Sequence, residues 1–315
     1  MANYENYAKV KARIEERRLK AIARADARNF EVREKSPVIA AIDRELEGTG
    51  LKIFSAACRG EDITPLKNRN VALLAERKQE LIRLGLPEDY TEVQYFCKKC
   101  SDTGFIDGVK TCSCLKEELL TENIKSSGIG TLIESQSFDN FKPDIYRDSP
   151  EFFENARQNL EKARDYAKKF DKNGLNLFMF GQTGTGKTHI STAIAKEAIT
   201  RGFDVVYDSA QNIISDFETD HFRSGYGSAE PKSTKYLECD LLIIDDLGAE
   251  FSTQFSLSCL YNLLNTRLNK RLATVISTNL GLHEIRATYN DRIYSRMFTQ
   301  NTTVLCFKGI DQRIL

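Results

Sequence analysis

Eight consecutive residues, Gly181-Gln182-Thr183-Gly184-Thr185-Gly186-Lys187-Thr188, meet every fixed position of the G-x-x-x-x-G-K-[ST] pattern. The chemistry this permits is the grip of a polyphosphate. Glycines let successive backbone N–H groups turn toward phosphate oxygens. Lys187 can reach the β- and γ-phosphates, and the Thr188 hydroxyl can bind Mg²⁺. Further along, Leu241-Leu242-Ile243-Ile244 runs into Asp245-Asp246. Asp245 is the candidate for holding Mg²⁺ through water, and Asp246 for orienting or deprotonating an attacking water. An apolar run ending in two aspartates is often only a strand cap; after a P-loop the metal reading is favoured. Ser277-Thr278-Asn279 closes another apolar run. Asn279 could touch the γ-phosphate or the water, although these residue types also favour turns. The expected cofactors are therefore ATP and Mg²⁺.

A second constellation is made of thiols. Cys97-x2-Cys100 is followed by Cys112-x-Cys114, with Gly104 and Gly108 between to return the chain. Four thiolates suit tetrahedral Zn²⁺ in a closed, structural shell with no open catalytic position. The second pair is C-x-C rather than C-x-x-C, and the histidines, His189, His221 and His283, lie far along the chain. Cys58, Cys239, Cys259 and Cys306 are scattered, and the last three have apolar neighbours, as buried core thiols do.

The elements that must position these residues follow from periodicity. Leu175–Phe180 precedes the P-loop as a strand, and Ile190–Ile199 follows it as a helix. With 204–207, 241–245, 274–277 and 304–307 as further strands between helical segments, the pattern predicts an α/β fold with a parallel sheet. The N-terminal part is helical. Residues 3–32 lack Pro and Gly, with a thin apolar stripe of Tyr7, Val10 and Ile14. A second helix starts at Pro37 and is expected to stop at Gly48 and Gly50. A third starts with Thr64 as its cap and Pro65 at its first position. The expected domains are a helical domain over 1–94, a zinc module over 95–125, a polar linker over 126–136 and the ATPase core over 137–315.

Composition narrows the function. Formal net charge is zero and the apolar fraction is 41%, so any DNA contact should be local and weak per subunit. No run is long and apolar enough for a membrane span, and the charged N-terminus lacks a signal-peptide core; a cytoplasmic protein is expected. Residues 209–235 carry Ile213, Ile214 and Phe217 on a helix, then His221, Phe222, Arg223 and Tyr226, with Lys232 and Lys235 beyond. Aromatics beside cations can stack the bases of single-stranded DNA, with Phe222 and Arg223 as the candidates; a solvated loop is the plainer alternative.

Taken together, GKTH at Gly186–His189, LLIIDDLG at Leu241–Gly248, STN at Ser277–Asn279 and DRIYSRM at Asp291–Met297 resemble the DnaC/DnaI-type helicase loaders. These are AAA+ ATPases close to the DnaA initiators and the IstB transposition ATPases. Ser137-Phe138-Asp139-Asn140-Phe141 resembles the start of that module, so the likeness covers about 137–315. The resemblance implies a P-loop AAA+ core in which His189 joins the nucleotide-binding set and Asn279 is the first sensor. It implies Arg296 as an arginine finger acting on a neighbouring subunit, with Arg292 as the alternative, and Arg313 as the second sensor. It also implies single-stranded DNA contact, an ATP-dependent homo-oligomer that could be a hexamer, and a zinc-bearing N-terminal part that engages the replicative helicase. Asp246 stands where many AAA+ proteins have Glu, which fits slow, switch-like ATP use. The rival readings are an IstB-type transposition helper, a P-loop kinase and a non-hydrolysing nucleotide-binding adaptor.

Overall fold

The computed structural model describes residues 2–171, 174–222, 231–250 and 252–311. The chain divides into two compact units, Lys11–Leu115 and Met1–Val10 with Lys116–Leu315. The first unit carries most of α1 (Ala2–Lys35), then α2 (Pro37–Arg59), α3 (Thr64–Arg83) and the short strands β1 (Phe105–Ile106) and β2 (Lys110–Thr111). Ser36 separates the first two helices: its side chain accepts from the Ile39 N–H, and Pro37 opens the next helix. Contrary to the expectation from Gly48 and Gly50, α2 runs through both and stops at Gly60, in the left-handed region at φ 72°. Glycines inside a helix cost about 1 kcal/mol each. Packing of α2 on α3 offsets this, with Arg69 paired to Glu45 at 2.7 Å and the Thr49 hydroxyl bonded to Asn70. Thr64 is the first helical residue rather than the cap. Its N–H donates to Asp62 at 2.9 Å, and a carboxylate two residues upstream takes over the capping task.

The second unit continues through α4 (Ser113–Ser126), α5 (Leu132–Ser135) and α6 (Pro150–Lys169) into alternating strands and helices. These are β3 (Asn176–Gly181), α7 (Lys187–Thr200), β4 (Val205–Ser209), α8 (Ala210–Phe222), α9 (Thr234–Glu238), β5 (Leu241–Leu247), α10 (Gln254–Asn269), β6 (Ala273–Thr278), α11 (Leu282–Thr288), α12 (Asp291–Met297) and β7 (Thr302–Phe307). Among the described residues the strands form one parallel sheet in the order β4-β5-β6-β3-β7. The expected α/β architecture with a parallel sheet is present, as are the N-terminal helices and a cluster of four cysteines.

Alternation along the strands divides the core. Leu177, Met179, Ile243 and Val275 pack with Tyr166 of α6 and Ile190 and Ile194 of α7. Phe178, Leu242, Ile244 and Ile276 pack with Ile213 of α8, Leu263 of α10 and Ile293 of α12. A sheet covered on both faces explains why its strands read as continuous apolar runs. The fully buried Arg267 of α10 donates to the carbonyls of Tyr236, Cys239 and Ala273 and to the Thr274 hydroxyl. Its charge is met by peptide dipoles, which fasten α10 to α9 and to the start of β6. Cys239 and Cys259 are buried as expected, whereas Cys306 is only half-buried. Among the described residues no helix is long and apolar enough to cross a membrane.

The helical unit has a small apolar cluster, Val32, Ile39 and Leu81 with Leu86 and Tyr90. Beside it, the buried Asp43 carboxylate accepts from Arg33 and Arg77, each at 2.7 Å. Arg77 also donates to Thr91 and Asn29, so one guanidinium joins α1, α2, α3 and the following loop. Burial works against the Asp43 charge, but hydrogen bonds from Arg77 and then Arg33 outweigh it and hold the carboxyl below its usual range. A depressed folded value means the contribution is complete above the ordinary carboxylate range and is lost as pH falls through the folded value. Arg33 is half exposed, which discounts the full value of a buried pair. Asp43→Ala is expected to destabilise by about 2 kcal/mol at neutral pH. Urea unfolding followed by circular dichroism checks this: the gap to wild type should narrow as pH falls below the ordinary carboxylate range, and a gap that does not change with pH would remove the carboxylate's charge from the account.

Candidate nucleotide-binding site

The P-loop lies between β3 and α7, as the apolar run before it and the helical pattern after it required. Gly186 has φ 96°, and a Cβ there would lie 2.7 Å from the Phe141 ring, so conformation and space both demand glycine. The Lys187 ammonium is buried and donates to the carbonyls of Gly181 and Gln182, each at 2.7 Å. The Thr185 hydroxyl closes the turn on the Gln182 carbonyl. Thr188 and His189 stand in the first turn of α7, whose N–H groups face the loop. His189 Nε2 is 2.8 Å from the Ser137 carbonyl, and its ring meets Phe141 edge-on.

Asp245 and Asp246 come from the carboxyl end of β5, and the backbone separates their roles. The pairing of β5 with β6 shifts between Ile244 and Leu247, and Asp246 sits at φ 55°. This bulge turns two successive aspartates to different partners. Asp245 is half-buried. Ser277 donates to its Oδ1, while Tyr207 at 2.7 Å and Thr188 at 3.4 Å reach its Oδ2. Asp246 is exposed, accepts from Asn279 Nδ2 at 2.6 Å, and donates its own N–H to the Ser277 hydroxyl. Thr188 and Asp245 thus offer hard oxygen donors side by side, a set that suits Mg²⁺. Burial, and then the Asp245 charge, push the Tyr207 phenol above its usual value, so it acts as a hydrogen-bond donor.

One cleft of about 690 Å³ is lined by Thr183, Gly184, Gly186, Lys187, Thr188, His189, Asp245, Asp246 and Asn279. These nine sequence-derived residues converge from the P-loop, the head of α7, the end of β5 and the turn after β6, whereas Gly181, Gln182 and Thr185 do not line the cleft. Leu132 and Gln136 line the same cleft and were not anticipated. Among the described residues, Gln136 Oε1 is buried without a hydrogen-bond partner. Tyr207 was also missed, although a polar residue at the carboxyl end of a parallel strand is a recognisable signal. The expected linker, 126–136, and Ser137 after it are fastened to this unit at three points. Ser127 accepts from the Tyr207 N–H, Ile133 from the Lys196 ammonium, and Ser137 meets His189.

Among the described candidates, Phe222, Arg292 and Arg296 do not line the cleft. Arg296 donates to Asn265, to Tyr261 and to the Arg292 carbonyl, and its guanidinium lies over the Tyr261 ring at 4.2 Å. Arg292, one turn earlier, is exposed. Phe222 is 85% exposed at the end of α8. Arg223 and Arg313 fall outside the described residues. Lys232 and Lys235 pair with Asp216, and Lys235 also approaches Asp208, so both charges are already met locally.

The four cysteines come together in the helical unit. The β1–β2 hairpin turns through Asp107 and Gly108 and returns Cys112 and Cys114 toward Cys97 and Cys100. The sulfurs lie within 4.8 Å of one another, with Cys97–Cys112 at 3.8 Å and Cys100–Cys114 at 3.5 Å. Tetrahedral zinc–thiolate bonds set sulfurs about 3.8 Å apart, so the cluster could hold such an ion. The fully buried Asp102 accepts from the Phe96 and Cys97 N–H groups and pairs with Arg17 at 3.3 Å. That contact fixes the loop carrying the first two thiols.

Part of the chain is similar to known proteins. Residues 154–300 match the family model described as IstB-like ATP binding protein. The chain is similar to the replicative helicase loader DnaC of Escherichia coli (strain K12), 28% identical over 181 residues, which cover 58% of this chain and 70% of that protein. It is also similar to the phage-like element PBSX protein XkdC of Bacillus subtilis (strain 168), 26% identical over 228 residues, covering 66% and 82% respectively. The crystal structure of the DnaC helicase loader aligns with a TM-score of 0.44 at 21% identity, covering 49% of this chain and 90% of that one. The matches of sequence bear out the resemblance to DnaC/DnaI-type loaders drawn from the motifs.

Proposed function

We propose that this protein is an ATP-switched loader of a replicative DNA helicase, hydrolysing ATP at the interfaces of a homo-oligomer. The observation that carries the nucleotide part is the convergence of the P-loop, the Asp245–Asp246 bulge and Asn279 on one cleft. The similarity to DnaC supports the helicase part. In this reading the Lys187 ammonium leaves the two loop carbonyls for the β- and γ-phosphates. Thr188 and Asp245 hold Mg²⁺, which neutralises charge on the phosphates. The nucleoside extends toward Leu132 and Gln136. Asp246, held by Asn279, orients the attacking water. The short Asp246 side chain, out on a bulge, suits a slow switch.

The finger is proposed to be Arg296. Tyr261 and Asn265 hold its guanidinium in a fixed orientation, and preorganised charge is what a transition state needs. Its present partners are intramolecular, so the exposed Arg292 is the competing choice. For the four thiols we propose structural Zn²⁺, with the helical unit as the helicase-binding part. Phe222, at the end of α8, and Arg223, next in sequence, are the proposed contacts for single-stranded DNA. An IstB-type transposition helper is the second reading, favoured by the family model over 154–300.

Lys187→Ala is expected to weaken Mg-ATP binding by roughly two orders of magnitude, the loss of a charge-assisted contact worth about 3 kcal/mol. The wild type, and not this variant, should co-purify with the cognate replicative helicase in an ATP-dependent way; ATP binding without helicase capture favours the transposition helper. Arg296→Ala should retain ATP binding but lose assembly-dependent hydrolysis by about 10³-fold. If Arg292→Ala alone produces that loss, the finger is reassigned. Mass spectrometry of metals should find about one zinc per chain, with retention falling as acid returns protons to the thiolates. Full retention of zinc in a Cys112→Ser variant would exclude the four-thiol centre.

A further inference from the structure

Asp245 is addressed by hydroxyls on both oxygens. Ser277 holds Oδ1 from β6, and Tyr207 holds Oδ2 from β4 at 2.7 Å. The third donor, Thr188, is longer at 3.4 Å and belongs to the metal set. One donor on one oxygen would leave the carboxylate free to rotate; strong donors on opposite oxygens fix its plane. Magnesium demands a near-octahedral oxygen shell, so that plane decides whether the ion fits. Tyr207 is itself held from outside the sheet. Its N–H donates to the Ser127 carbonyl at 2.6 Å, on the free edge of β4. Gly128 follows at φ 82°, where a Cβ would lie 2.4 Å from the Tyr207 carbonyl. Ser127 is fully buried and its hydroxyl returns to the Ile124 carbonyl of α4.

We propose that Tyr207 is a positioning residue for the Asp245 carboxylate, and that the Ser127–Gly128 segment clamps it in place, so that displacement of this segment loosens the magnesium site. The proposal rests on Asp245 being a magnesium ligand. Loss of a hydrogen bond behind a metal ligand weakens metal affinity by about tenfold or more. The electron-richer carboxylate left by removing the phenol would act the other way, but orientation outweighs it for a cation so strict in geometry.

The test is the magnesium concentration that half-saturates binding of mant-labelled ATP to the full chain. Tyr207→Phe keeps the ring and removes the hydroxyl. It is expected to raise that midpoint about tenfold, with the wild-type amplitude recovered at saturating magnesium. Gly128→Ala should move the midpoint in the same direction, and the double variant should exceed Tyr207→Phe by less than the product of the two shifts. A Tyr207→Phe midpoint within about twofold of wild type overturns the positioning role, and independent, multiplicative shifts overturn the clamp. If Tyr207→Phe does not fold, Gly128→Ala decides alone, an unmoved midpoint overturning the proposal. A wild type without magnesium-dependent binding would instead remove the premise about Asp245.

Discussion

The hydroxyl of Ser277 on the Asp245 carboxylate ties β6 to β5 where their regular pairing breaks. The site depends on that junction. P-loop strand β3 and carboxylate strand β5 are not neighbours; β6 lies between them. A carboxylate from β5 must therefore be aimed across β6 to reach the threonine at the head of α7. The bulge supplies the turn, and the left-handed Asp246 is its local cost, of order 1 kcal/mol. The Thr278 hydroxyl bonded to the Leu247 carbonyl at 2.6 Å and the Asp246 N–H bonded to Ser277 hold the irregular backbone on both sides. Since all the sheet strands run the same way, their carboxyl ends meet at one edge, and the chemistry gathers there.

What was legible in the sequence is what local rules encode. The P-loop, the buried strands and the helix after the loop depend on contiguous residues; the structure follows the strands to within two residues, and the helix starts three residues before the expected Ile190. Gly48 and Gly50 misled because intrinsic propensity is weak beside tertiary contacts: α2 gains more from lying along α3 than its glycines lose. Tyr207, Leu132 and Gln136 were harder to find because no spacing rule links them to the P-loop. Only the β4–β5 pairing brings Tyr207 to Asp245, and only the docking of residues 127–137 brings Gln136 to the cleft. The four thiols were legible as a group, whereas Asp102, which holds their loop, shows no signature beyond an acidic residue near a turn.

The two units are built on different balances. In the sheet unit, apolar side chains cover both faces, and buried polar groups such as Arg267 are saturated by backbone carbonyls. In the helical unit the apolar cluster is small, and the Arg33–Asp43–Arg77 network and the thiol cluster carry part of the specification. Large apolar side chains there remain exposed, among them Phe54 at 72% and Val71 at 69%.

The arginines of the α12 region show how a fold can keep a charge in reserve. Among the described residues Arg296 makes three donor contacts, each to a neutral acceptor and none to a carboxylate. A guanidinium held by a carboxylate would have to break an ion pair before it could serve an incoming anion. Held by an amide, a phenol and a carbonyl, it keeps its positive charge unpaired by any described carboxylate, and so available to an anion. The stacking on Tyr261 limits its rotation without neutralising it. Arg292 has greater reach because it is exposed, but among the described residues nothing comparable fixes its head group. Orientation against reach is the physical difference between the two candidates, and preorganisation weighs the choice toward Arg296.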